Sequence, residues 1–108
     1  MTWRIDLDSF KTGRIKSHQL QGETVCVGRD RSCDLVLPHE EVSRRHFFLT
    51  HSGAHCFLQD TSRNGVSLLV GGEWVRVRGE IGILPPVTLM VPSGTIDVDF
   101  EGEHRDVA

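Results

Sequence analysis

The chain has 108 residues, enough for one domain around one core, and it is 38% hydrophobic and 25% charged, the balance of a folded globular protein rather than a disordered one. A net charge of −3 and a pI of about 6.0 argue against a general nucleic-acid binder, which carries an overall basic face. No apolar run approaches the ~18 residues of a membrane span and no charged-then-apolar signal opens the chain, so membrane insertion is not expected.

Period-two alternation broken by turn residues recurs along the chain, which is the pattern of short half-buried strands. Trp3, Ile5 and Leu7 alternate with Arg4, Asp6 and Asp8; a polar-rich strand follows from Arg14 to Leu20, and a third runs from Thr24 to Val27. In that third strand Cys26 alternates with Val25 and Val27, so it faces either the core or a partly covered side. Leu35-Val36-Leu37 is stopped by Pro38. His46–Thr50 and His55–Gln59 read as a hairpin, and Val66–Val70 and Trp74–Arg78 as another across Gly71-Gly72-Glu73. Ile81–Leu84, Val87–Val91 and Thr95–Phe100 complete the set. No apolar stripe of helical period exceeds a turn. Ten or eleven strands with regular turns predict a two-sheet antiparallel sandwich, a single domain over 1–101 with a charged, frayed tail at 102–108. Cys26, Cys33 and Cys56 are an odd set without short paired spacing, so no disulfide framework is implied and a reducing, cytoplasmic setting is expected.

Three polar clusters stand between these apolar runs: Gly28-Arg29, Ser43-Arg44-Arg45-His46, and Asp60-Thr61-Ser62-Arg63-Asn64-Gly65. The chain holds ten arginines against two lysines, and Arg29, Arg31, Arg44, Arg45 and Arg63 lie between Gly28 and Gly65. Guanidinium offers a bidentate charged fork, hydroxyl and amide add directed donors, and glycine admits close backbone approach, a combination suited to gripping a phosphate. Each cluster has a plainer reading. Gly28-Arg29 serves as a strand corner, and Asp60 to Gly65 has turn chemistry throughout. Ser43 near His46 invites a hydrolase reading, but no nucleophile elbow or third partner accompanies them, and arginines suit an anion better than an acyl group. Arg45 should alternate away from Arg44 and form a surface salt bridge. His51, His55 and Cys56 lie close in sequence, yet no closed four-ligand set with short spacing appears, and no metal is expected.

The three clusters, in this order and at these separations, resemble the forkhead-associated (FHA) domain, a phosphothreonine-recognition module, over Thr2 to Glu101. The resemblance implies an all-β, eleven-stranded antiparallel β-sandwich (FHA/SMAD-like) with a peptide site on its apical loops, no catalysis and no cofactor. It implies that Arg29 contacts phosphate, that Ser43 and Arg44 are ligands held in place by an architectural His46, that Ser62 and Arg63 lie close enough to touch phosphate, and that Asn64 holds the peptide backbone, with Gly28 and Gly65 as structural support. The expected partner is a phosphothreonine-containing protein or peptide, in trans or on a longer form of this chain, made by a Ser/Thr kinase. The chain departs from the family pattern at Val66, where a threonine commonly follows Asn-Gly, and at Gly71-Gly72, which stands later than the usual second turn. A phosphate-independent scaffold using edge strands or this longer hairpin is the alternative function.

Overall fold

The computed structural model describes residues 2–13, 15–53 and 55–101; the expected tail at 102–108 lies outside the described residues. Among the described residues eleven strands form: β1 (Thr2–Ser9), β2 (Ile15–Gln21), β3 (Thr24–Gly28), β4 (Leu35–Val36), β5 (Phe47–Ser52), β6 (His55–Asp60), β7 (Ser67–Val70), β8 (Glu73–Arg76), β9 (Glu80–Ile83), β10 (Val87–Val91) and β11 (Gly94–Glu101). They build a six-stranded sheet in the order β2-β1-β11-β10-β7-β8 and a five-stranded sheet in the order β4-β3-β5-β6-β9.

Alternation in the sequence sets which face of each strand is inside. Trp3 and Ile5 of β1, Val25 and Val27 of β3, Phe47 and Leu49 of β5, Leu58 of β6, Leu89 of β10, and Ile96 and Val98 of β11 are fully buried and form one core between the sheets. Each contributes about 1.5–3 kcal/mol by leaving water. A slip of one residue in any of these strands would turn its apolar set outward, so the same side chains also fix register. Trp3 closes the core by stacking on Phe100, ring centroids 4.4 Å apart, while its indole N–H donates to the Gly22 carbonyl at 3.0 Å.

Strand boundaries shift by a few residues from those expected, and two departures bear on the site. β5 begins at Phe47, so His46 belongs to the preceding loop. Every pairing is antiparallel except β3 with β4, which is parallel over Val27↔Leu35 and Gly28↔Val36; residues 29–34 turn the chain back alongside β3, and the pair is only two residues long. The β7–β8 hairpin turns through Gly71 (φ 57°) and Gly72 (φ 84°), two consecutive positive-φ residues that give the tight turn matching sheet twist. Its Leu69, Val70, Trp74 and Val75 are 40–51% exposed at the sheet edge.

Register places five connections at one end of the sandwich. Ser9 pairs Gly94, Met90 pairs Ser67, Val27 pairs Phe47 and Phe47 pairs Asp60. The loops following β1, β3, β4, β6 and β10 therefore lie together, and the three polar clusters lie in the middle three.

Candidate functional site

The β3–β4 and β4–β5 loops are joined by their backbones. Arg29 N–H donates to the Ser43 carbonyl at 2.9 Å and Asp30 N–H to the Arg44 carbonyl at 3.0 Å. This approach is so close that a Cβ on Gly28 would collide with the Arg44 carbonyl, which is the physical reason for glycine there. The Arg29 side chain folds back so that Nε donates to the Val42 carbonyl at 3.0 Å. Its terminal guanidinium nitrogens have no partner among the described residues and the residue is exposed, so the end of the fork is oriented and unspent.

His46 is fully buried and fixes both neighbouring loops. Its Nδ1 accepts from Ser43 N–H at 2.9 Å, and Nε2 lies 2.8 Å from the Gly65 carbonyl, which requires the Nε2–H tautomer. Burial pushes its pKa below the ordinary value, opposed by the Gly65 hydrogen bond and by Asp60, with Arg76 adding to the depression. Both ring nitrogens are committed to backbone groups, so His46 does not face the Ser43 hydroxyl as a base. His46 thus points inward and bonds backbone groups of two loops.

Ser43 Oγ accepts from Arg63 N–H at 3.0 Å, which leaves the hydroxyl proton to donate elsewhere. Asn64 Nδ2 donates to the Glu41 carbonyl at 2.8 Å, an anchor that leaves its amide oxygen and second N–H outward. Arg29, Ser43, Arg63 and Asn64 are thus linked residue to residue across three loops. Arg44 and Arg63 present exposed side chains beside them.

Ser62 bonds within its own turn. Its hydroxyl donates to Asp60 Oδ1 and accepts from Gly65 N–H at 2.8 Å, while Ser62 N–H also bonds Asp60 at 2.9 Å. The hydroxyl is spent on the turn because Asp60 offers a carboxylate two residues away. Arg45 forms no ion pair within 4 Å among the described residues; the only such pair there is Arg4–Asp6 at 3.5 Å. Backbone hydrogen bonding from Ser32 holds the Asp30 carboxyl below its usual value, and the charges of Arg45 and Arg44 act in the same direction. His51 packs on Trp3 and Phe100 and Cys56 is buried in the core.

Two supports were not foreseen. Thr61 Oγ1 donates to the Arg45 carbonyl at 2.7 Å and Thr61 N–H to the His46 carbonyl at 3.1 Å, tying the β6–β7 loop to the second cluster. Arg76 of β8 lays its guanidinium where a Gly65 side chain would stand, and Gly65 has φ 96°, the backbone conformation that calls for glycine there. Thr61 was legible only as a turn residue, and Arg76 carries no local signal because its role arises from sheet pairing.

Comparison with known proteins agrees with this architecture. The family model of the FHA domain matches residues 25–81, more than half of the chain, and the chain belongs to that family. The FHA domain of FhaA, solved with the intracellular domain of Rv3910, is 26% identical with a TM-score of 0.67, covering 89% of this chain and 98% of that one. The N-terminal FHA domain of S. cerevisiae Rad53p, solved with a phosphothreonine peptide, is 19% identical with a TM-score of 0.74, covering 94% of each chain. Mycobacterium tuberculosis EmbR, solved with a low-affinity phosphopeptide, is 23% identical with a TM-score of 0.72, covering 89% of this chain; the match spans 24% of EmbR. No curated protein matches the chain.

Proposed function

We propose that this domain is a non-catalytic module that docks on phosphothreonine in a partner protein or in a longer form of its own chain. The observation that carries the reading is the continuous link Arg29 N–H to Ser43 carbonyl and Arg63 N–H to Ser43 Oγ, which gathers outward donors from three loops. In this reading Arg29, Ser43, Arg44 and Arg63 contact the phosphate and Asn64 holds the peptide backbone. Ser62, Gly28, His46 and Gly65 shape the loops. A phosphothreonine carries roughly −1.5 to −2 charges near neutral pH. Three or four charge-assisted bonds of about 1.5–3 kcal/mol each, less peptide ordering, correspond to roughly micromolar affinity. Removing the phosphate deletes most of that attraction, so a Ser/Thr kinase sets when the contact forms. The family membership and the phosphopeptide complexes of its relatives support the reading.

Arg29→Ala tests it by titration calorimetry against a phosphopeptide selected from an oriented library: binding should be nearly abolished with the fold intact. Affinity within about threefold of the parent chain would remove Arg29 from the site. A second reading, a phosphate-independent scaffold, is favoured by one observation, the exposed apolar side chains of the β7–β8 edge hairpin. Trp74→Ser would disrupt that contact and leave phosphopeptide affinity unchanged.

A further inference from the structure

The fold also brings together two thiols beside the candidate site. Cys26 lies in β3 with its neighbours Val25 and Val27 buried in the core, so its own side chain turns to the opposite, partly covered face. Cys33 lies near the end of the β3–β4 loop and is 7% exposed without belonging to the core cluster. Their Sγ atoms are 3.1 Å apart, about 1 Å beyond a disulfide bond. The backbone around them is pinned: Asp34 N–H donates to the Cys26 carbonyl at 2.9 Å and Cys26 N–H to Asp34 Oδ2 at 2.8 Å. Cys33 Sγ in turn donates to the Arg44 carbonyl at 3.1 Å, the same oxygen that receives Asp30 N–H and crowds Gly28.

We propose that Cys26 and Cys33 form a reversible intramolecular disulfide whose closure loosens the β3–β4 loop from the Ser43–Arg44 segment. Oxidised glutathione supplies the chemistry. One protein thiolate attacks its disulfide, releasing one glutathione thiolate and leaving a mixed disulfide; the other protein thiol, its proton lost to solvent, then displaces the second glutathione. Two electrons pass to the oxidant, which leaves as two reduced glutathione molecules. Burial, then the hydrogen bond with Cys33, pushes the Cys26 thiol up to about 12, so the exchange is slow near neutral pH and accelerates as pH rises.

The structural consequence follows from what each sulfur is attached to. Cys26 sits in a strand paired on both sides and Asp34 is held to its backbone, so closure falls on Cys33 and the loop residues that precede it. The disulfide also removes the S–H that bonds the Arg44 carbonyl. Arg29 and Asp30 belong to the displaced loop, and their N–H bonds to Ser43 and Arg44 weaken. A loss of phosphopeptide affinity would follow, and that part alone rests on the function proposed above.

The domain is equilibrated with glutathione mixtures, its thiols are counted by alkylation and mass spectrometry, and amide hydrogen exchange is read on both forms. The expected product is a monomer lighter by two hydrogens, alkylated only at Cys56, restored by dithiothreitol and absent in Cys26→Ser. Exchange at Arg29 and Asp30 should be at least about fivefold faster after oxidation, and affinity for a pooled phosphothreonine peptide library at least about fivefold weaker. Three alkylated cysteines in excess oxidised glutathione, or only intermolecular dimers, would overturn the disulfide; unchanged exchange would overturn the coupling. Failure of the reduced domain to bind the library would sink the proposed function while the thiol and exchange measurements still decide this inference.

Discussion

Replacing His46 by alanine isolates the element on which the site's geometry depends. The substitution removes two hydrogen bonds at once, from Ser43 N–H and to the Gly65 carbonyl. Gly65 is itself buried, so its carbonyl is left without a partner inside the protein, and each orphaned group costs about 1–3 kcal/mol. The imidazole also leaves a void beside Phe47, whose ring stands edge-on to it at 6.4 Å between centroids, and a void adds a further penalty. A total of about 3–5 kcal/mol is expected, enough to lower the melting temperature by more than about 10 °C. Chemical denaturation with and without phosphopeptide is the assay. His46→Asn, which retains one donor and one acceptor, should recover part of the loss. Unchanged stability in His46→Ala accompanied by lost binding would refute the reasoning, because His46 would then be a direct ligand rather than the post that holds Ser43.

The other expectations concern the same loops. Gly28→Ala drives a methyl into the Arg44 carbonyl and should destabilise by about 1–3 kcal/mol while weakening phosphopeptide binding, measured by melting and calorimetry; a melt matching the parent chain would show that the loops can separate freely. Ser43→Ala should change stability by less than about 1 kcal/mol, since Arg63 N–H is exposed and water can replace the lost acceptor, yet reduce phosphopeptide affinity roughly tenfold or more by deleting one charge-assisted bond. The pH dependence has a defined sign. The unfolded chain protonates this histidine near pH ~6.5, whereas the folded His46 does so only at lower pH. Its stabilising contribution is therefore complete above the unfolded value and is lost as pH falls towards the folded one, by up to about 1.4 kcal/mol per pH unit. Denaturation of the peptide-free domain between pH 7 and 5 should show this dependence, and His46→Asn should remove it.

Much of this was legible because local chemistry and fold agree. Alternating Trp3-Ile5 and Val25-Val27 announce inward faces, and the polar clusters announce the loops that join them. Arg29, Ser43 and Asn64 stood out because charged fork, hydroxyl and amide suit an anion and a peptide backbone, and the structure brings them together across three loops. What stayed hidden depends on pairing between distant segments. Arg76 reaches Gly65 only because β8 pairs with β7, and Cys33 reaches Cys26 only because β4 runs parallel to β3. The bonds of Ser62 were hidden for a local reason: its hydroxyl has a partner in Asp60, and composition does not say which partner wins. Arg45 likewise makes no ion pair within 4 Å among the described residues, since alternation sets a direction and not an ion-pair distance.

The central claim is that phosphate, rather than surface shape, governs this domain's binding. Calorimetric titration of one library-selected peptide in three forms, with phosphothreonine, with unmodified threonine and with glutamate at that position, tests it most directly. The account predicts roughly micromolar binding for the phosphorylated peptide and binding at least about a hundredfold weaker for the other two. Glutamate should fail because it brings a single charge and planar geometry. Equal affinity for all three peptides would contradict the account and assign the domain's function to a phosphate-independent surface.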